Sequence, residues 1–404
     1  MANRRDVLAS MGVLAAGCLT GKPLRAEFND VLAIAEQNNP AAAVADRTSS
    51  IKLTKLTATP VGRKVFLKLE TNHGVTGWGE IDQLETQTAA TLVRSLYELL
   101  DGENPTRIEH LWQKVYRSHR DMRGGPFMTH TLAGIDMALW DITGKLWGVP
   151  VYRLLGGPTR DKVLMYPSPK ATKVGAGPQP FAGSPQQIDQ LVQSIANARK
   201  QVGPDGIVMF DAHCALPPPF LIQLAAAIKP YDLLYIEEPA VPGNIEVFKR
   251  LKQQIAIPLA VGEQARTIWE VIPYLQEGVA DFLQVDCAHT GGISQMRKIA
   301  TLGEAYHVPL APHCVTTDLG ATASLHVSAA IPFFLIHEYY PSISPPGLVK
   351  KNWSIDNAGY ASLPQGPGIG CEIDEAVLAE LAKKPSPPEW PTRGRMPDGS
   401  IADY

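Results

Sequence analysis

Asp211, Glu237, Glu263, Asp286, His313 and Glu338 recur at intervals of 26, 26, 23, 27 and 25 residues, and each closes a short apolar run. The runs read IVMFD, LLYIE, LAVGE, FLQVD, VPLAPH and FFLIHE. An apolar run that ends in one polar group and precedes a helix-length segment is the pattern of a buried parallel strand feeding a crossover helix. Repetition of that unit sends every strand's carboxyl end to one face. In a (β/α)₈ barrel that face gathers the catalytic groups. Three successive carboxylates suit a hard divalent cation. The Asp, His and Glu that follow suit proton transfer.

The chain has 404 residues, room for a barrel of about 250 residues and a second domain. Hydrophobic residues make up 45% and charged residues 19%, so a large core is affordable in composition. A net charge of −3 gives no basis for nucleic acid or an anionic membrane as partner. The five cysteines lack the spacing of a zinc site or a disulfide framework. At the start, Arg4-Arg5 precedes an apolar run from Val7 to Leu19 that is too short to span a bilayer. This resembles a Tat-like signal over residues 1–26, with cleavage after Ala26 and export to the periplasm. An ordinary Sec signal is the alternative. Ala16-Gly17 before Cys18 leaves a lipid anchor at Cys18 open as a minority reading.

Residues 27–50 read as a linker. From Ile51, IKLTKLTATP and KVFLKLETN alternate like antiparallel strands, and Asn72-His73-Gly74 turns the chain into VTGWGE. Three helical segments follow, so residues 51–160 form an α+β domain. The barrel spans 161–345. Its first two strands, VLMYP and ATKVGA, stand too close for the helix that a parallel pair ordinarily needs. The expected fold is therefore a modified TIM barrel with one crossover helix missing. Ser184 and Pro185 then open a helix as N-cap and first helical residue. A loop-rich segment, 346–404, ends in the helix DEAVLAELAKK.

Asp211, Glu237 and Glu263 are the expected metal ligands. One acid after a strand is often only a helix N-cap, but that reading accounts badly for three in consecutive units. In IEEP, alternation puts Glu237 and Glu238 on opposite sides, with Glu237 inward. Asp286 and His313 end adjacent strands, so the carboxylate can fix the imidazole as a general base. His213, two residues past Asp211, is expected on the same side and could protonate a leaving hydroxyl. Glu338 could bond a substrate carboxylate, or stand solvated at the rim.

With these residues in view, the chain resembles the enolase superfamily, in its mandelate racemase subgroup, and within that the galactonate-dehydratase-like acid-sugar dehydratases. The motifs are VFLKLETNHGVTGWGE, Arg123 to Pro126, GIDMALWDITGK, IEEP, LAVGEQ, LQVDCAHTGGIS, LAPHC and PGIGCEIDEA, which together span most of Ile51 to Tyr404. The resemblance implies an α+β capping domain closed by the C-terminal segment, Mg²⁺ on Asp211, Glu237 and Glu263, and homo-oligomers. It further implies the Asp286–His313 dyad with His313 as base, His213 as acid, and Glu338 on the substrate carboxylate. Lys173, Arg123 and Trp78 are expected near the sugar acid. Racemases of the subgroup carry K-x-K at the second strand, where this chain has only Thr172-Lys173-Val174, which disfavours a two-base racemase. The expected activity is elimination of water from a small sugar acid to give a 2-keto-3-deoxy acid. Epimerisation with Lys173 as second base, and sugar-acid binding without turnover, are the alternatives.

Overall fold

The computed structural model describes residues 50–177 and 184–384. The signal-like segment with Cys18, most of the linker and the chain beyond 384 lie outside the described residues. None of the described helices is long and apolar enough to cross a membrane.

Strands β1 (Leu53–Val61), β2 (Lys64–Thr71) and β3 (Thr76–Ile81) form an antiparallel meander. Helices α1 (Thr86–Leu96), α2 (Ile108–Ser118) and α3 (Pro126–Trp147) then cover it. Pro126 opens α3 at its first position, and Gly148 closes it in the left-handed conformation. The approach of β3 to α3 depends on glycine: a Cβ at Gly79 would meet the Gly134 carbonyl oxygen at 1.9 Å. A short helix, α4 (Val151–Leu154), leads into the second region.

There, β4 (Lys162–Tyr166) and β5 (Ala171–Gly175) are separated only by residues 167–170, so the missing crossover helix is an observed feature. From β5 the sheet runs in parallel through β6 (Ile207–Asp211), β7 (Ile236–Glu237), β8 (Leu259–Val261) and β9 (Phe282–Leu283). Parallel bridges carry the circuit on from Leu283 to Leu310 and from Leu310 to Phe334. Strand β10 (His337–Glu338) then pairs in parallel with β4. The order is that of the expected modified barrel. Helices α5 (Pro185–Val202), α6 (Pro218–Ile228), α7 (Ile245–Gln254), α8 (Ile268–Gln276), α9 (Ile293–Ala305) and α10 (Asp318–Ala330) make the crossovers. Ser184 caps α5 in a reciprocal capping box with Gln187, as its sequence predicts.

The C-terminal segment serves both regions. Strand β11 (Val349–Lys351) pairs with β13 (Cys371–Ile373), while β12 (Tyr360–Ser362) pairs with β4. Helix α11 (Glu375–Ala382) packs on β1, and Lys68 Nζ lies 2.6 Å from Glu375.

One apolar cluster joins the regions: Phe66, Trp78, Ala133 and Met137 pack with Val285, Met296, Leu319 and Val327. Each large aliphatic side chain fully buried there contributes about 1.5–3 kcal/mol. Polar contacts fix the orientation. Glu80 accepts from the Thr317 backbone N–H (3.0 Å) and hydroxyl and from the Gly320 N–H (3.3 Å), which caps α10 from across the seam. Asp136 does the same for α9, accepting from Ser294 N (3.0 Å) and Oγ (2.5 Å). The residues after His313 and after Asp286 are thereby held by the α+β region.

Candidate active site

Inside the strand circuit, Tyr166, Ala171, Met209, Tyr235, Ala260, Ala311 and Ile336 form an apolar plug. Strand alternation places residue i+2 on the same face as i. Two residues beyond Ala171, Met209, Tyr235, Ala311 and Ile336 stand Lys173, Asp211, Glu237, His313 and Glu338. A polar tier therefore rests directly on the plug.

Lys173 sits at the centre of that tier. Its Nζ is 2.9 Å from Glu237 Oε1, 2.8 Å from Glu338 Oε1 and 3.5 Å from Asp211 Oδ2. Burial opposes the charge on Lys173, but Glu237, Glu338 and Asp211 outweigh it and hold the ammonium well above its ordinary pKa. Glu338 is fully buried, with Oε2 accepting from Cys314 N at 3.0 Å, so it is no rim carboxylate. Burial works against its ionisation, yet Lys173 and His313 keep its pKa below the usual value. Glu237 goes the other way: burial, with Asp211 and Glu338 nearby, pushes it up to about 7 despite Lys173. Its Oε2 is buried and has no hydrogen-bonding partner among the described residues.

The imidazole–carboxylate pair forms as expected. His313 Nδ1 lies 2.7 Å from Asp286 Oδ2, and Asp286 Oδ1 accepts from Ala288 N at 2.6 Å. A carboxylate can only accept, so Nδ1 carries the hydrogen and Nε2 faces the cavity. Nε2 stands 4.0 Å from Glu263 Oε1 and 3.9 Å from Glu338 Oε2. Burial disfavours the imidazolium, but Glu263, Asp286 and Glu338 outweigh burial and raise the His313 pKa well above its ordinary value.

Glu263 does not join the lower tier. The next inward place after Ala260 falls to Gly262, at φ 125°, and Glu263 is displaced by one residue. It groups instead with His213 and Glu238, all three offering ligand atoms within 4.8 Å of one another. Asp211, Glu237 and Glu263 do not form such a group among the described residues. His213 (φ 48°) and Glu238 (φ 43°) both adopt left-handed backbone just past their strands. That conformation breaks alternation, so the expectation that Glu238 turns away from the cavity is corrected. Both glutamates of IEEP face inward, with Glu238 accepting from Gln264 Nε2 at 2.6 Å. Likewise His213 rises toward Glu238 and Glu263, while its backbone N–H bonds Asp211 Oδ1 at 2.8 Å.

Two expected side chains lie elsewhere. Arg123 is exposed, and its Nε donates to the Arg120 carbonyl at 3.2 Å. Trp78 is buried in the seam, its backbone N–H donating to Asp141 Oδ2 at 3.0 Å. Neither lines the cavity of about 720 Å³ that holds His213, Glu238, Glu263 and His313. That cavity instead receives His130, from α3, and His289, neither of which the strand-end pattern could reach. The cue for His289 was its place three residues after Asp286. For His130 the barrel repeat offered none.

Three carboxylates, Asp211, Glu237 and Glu338, thus converge on one ammonium, and two more, Glu238 and Glu263, stand with His213 just past the strand ends. Such an oxygen-rich donor set, with Glu237 Oε2 unpartnered, fits a hard divalent cation such as Mg²⁺.

The chain is similar to known proteins over most of its length. Residues 42–156 match the mandelate racemase/muconate lactonizing enzyme N-terminal domain, and residues 167–377 match the enolase C-terminal domain-like family. D-galactonate dehydratase of Ralstonia pickettii is 35% identical over 386 residues, covering 88% of this chain and 100% of the relative. The Klebsiella pneumoniae D-galactonate dehydratase is 34% identical over 385 residues, with 88% and 100% covered. An enolase from Agrobacterium radiobacter, solved with Na and L-malate bound, superposes with a TM-score of 0.78 at 30% identity, over 87% of this chain and 99% of its own. The 3,6-anhydro-D-galactonate cycloisomerase of Zobellia galactanivorans gives 0.75 at 26% identity, over 82% and 100%.

Proposed function

The chain belongs to the mandelate racemase/muconate lactonizing enzyme family of the enolase superfamily, and from that premise we propose a Mg²⁺-dependent acid-sugar dehydratase. The observation that carries the reading is the Asp286–His313 pair, whose Nε2 opens on a cavity walled by carboxylates and reached by His213. Asp211, Glu237 and Glu263 are the proposed Mg²⁺ ligands, with Glu238 beside Glu263 as the competing one. When bound, Mg²⁺ would stabilise charge developing on the substrate carboxylate and draw charge from Glu263, letting His313 stand neutral.

His313 Nε2 takes the proton from the carbon next to the carboxylate. The electron pair left behind forms a carbon–carbon double bond as the hydroxyl on the following carbon departs. His213 gives that hydroxyl its proton, so water leaves, and the enol tautomerises to a 2-keto-3-deoxy acid. Lys173 and Glu338 orient the substrate carboxylate. Lys173 is a poor second base because three carboxylates keep it protonated, which favours elimination over epimerisation. L-malate in the Agrobacterium radiobacter relative, a 2-hydroxy acid, is consistent with a hydroxy-acid substrate.

The test is a screen of acid sugars with Mg²⁺, reading 2-keto-3-deoxy product, for the wild type and His313→Gln. Product from the wild type alone supports the reading. Equal product from both contradicts it. Export through the twin-arginine start is a separate proposal, read by fractionating cells that express the full chain.

A further inference from the structure

His130 and His289 come from different regions, yet their rings stack in parallel, with centroids 4.4 Å apart and planes 10° apart. Each ring is anchored the same way. His130 Nδ1 lies 2.9 Å from the Asp82 carbonyl oxygen, and His289 Nδ1 lies 3.0 Å from the Glu263 carbonyl oxygen. A carbonyl oxygen only accepts, so both Nδ1 atoms carry hydrogen. With Nδ1 held as the donor and the two rings buried and stacked at 4.4 Å, a second proton would set charge against charge away from water, so the rings stay neutral and both Nε2 atoms are acceptors. The side chains are 2% and 5% exposed, and neither Nε2 has a hydrogen-bonding partner among the described residues. Both residues line the same cavity as His313.

We propose that His130 and His289 form a subsite that receives the distal hydroxyl groups of a polyhydroxy acid. Paired buried acceptors select donors: hydroxyls satisfy them, whereas methyl or methylene groups leave them unpaired. The rings also stand at a suitable distance. The His289 centroid is 5.6 Å from that of His313 and 4.4 Å from that of His130. An extended carbon chain advances about 2.5 Å every two carbons, so an acid of roughly five or six carbons, bound with its α-carbon at His313, brings its far hydroxyls to the pair. Arg266 Nε, also buried at this cavity without a partner among the described residues, is a donor for the oxygen of such a hydroxyl.

The inference rests on the dehydratase reading, and its test separates the two. The wild type is first assayed with Mg²⁺ against six-carbon sugar acids, the same acids deoxygenated at one distal carbon, and four-carbon hydroxy acids. Selectivity is the ratio of kcat/KM for long over short acids. His130→Phe, which keeps a stacking ring but removes the acceptor, is expected to lower that ratio about 10- to 100-fold. On the wild type, distal deoxygenation is expected to lower kcat/KM by a similar factor, a readout that does not depend on how the variant folds. If the wild type dehydrates sugar acids but tolerates distal deoxygenation, or folded His130→Phe keeps the wild-type ratio, the subsite is overturned and the dehydratase reading stands. If the wild type turns over none of the acids, both fall.

Discussion

Glu80, Asp136 and Asp141 at the seam between the two regions are as deeply buried as His130 and His289 of the cavity and Glu237 of the polar tier beside it, yet the two sets are treated differently. At the seam every carboxylate oxygen has a partner. Glu80 bonds Thr317 and Gly320, Asp136 bonds Ser294, and Asp141 bonds Trp78 N, Ile369 N and Lys145 Nζ. Around the cavity Glu237 Oε2 and the Nε2 atoms of His130 and His289 have none among the described residues. Burying an unpaired polar atom costs about 1–3 kcal/mol, so the cavity is where the fold gives up stability. Saturated groups hold the scaffold in register; unsaturated ones await something from outside the chain. That contrast separates structural acids from functional ones better than burial does.

The contrast can be broken most forcefully at the seam. Glu80→Ala leaves the backbone donors that cap α10 without their acceptor and the buried ammonium of Lys64 with Asp82 alone. Unfolding in denaturant should show a loss of about 3–5 kcal/mol. A change below about 1 kcal/mol would show that the seam does not depend on this contact. At the cavity the opposite sign is expected. Glu237→Gln removes a buried charge with an orphaned oxygen, so the metal-free protein should gain about 1 kcal/mol while Mg²⁺ affinity falls about 100-fold or more. Calorimetric titration checks the affinity and thermal melting the stability. The parallel variant Glu238→Gln decides which glutamate of IEEP is the stronger ligand.

Much of the lower tier was legible in the sequence because it follows from alternation alone. Apolar runs ending in Asp211, Glu237, His313 and Glu338 put a polar group two residues beyond Met209, Tyr235, Ala311 and Ile336, and the structure keeps those places, with Asp286 beside His313. What alternation could not show is where it fails. Glu238 and His213 leave their strands through left-handed backbone, and Gly262 displaces Glu263, so a second group forms just past the strand ends. His130 was invisible for another reason: it belongs to a helix buried without a break from Met128 to Leu139, where no single polar position stands out, and only the docking of α3 brings it to the cavity. Trp78 and Arg123 were expected near the substrate by resemblance, and local packing directs them to the seam and the surface.

The smallest effect sharpens the comparison within the seam. Burial pushes Asp136 up to about 7, above its ordinary 3.8, although its bonds to Ser294 pull it back. The folded chain therefore keeps a proton that the unfolded chain has lost. The stability this group contributes is full below about pH 4 and is lost as the pH rises toward 7, by on the order of 1 kcal/mol per pH unit. Asp136→Asn should flatten that slope in denaturant titrations between these limits. An unchanged slope would mean that Asp136 is ionised in the folded protein throughout.

The central claim is that His313, set by Asp286, takes the α-proton of a sugar acid beside a carboxylate-held cation. Incubation with Mg²⁺ in deuterium oxide, followed by proton NMR, reads both proton removal and loss of water in one sample. The wild type is predicted to form a 2-keto-3-deoxy acid, and His313→Gln to be slowed at least about 100-fold in both deuterium exchange and dehydration. Product formed at the wild-type rate by the folded His313→Gln protein would contradict the account.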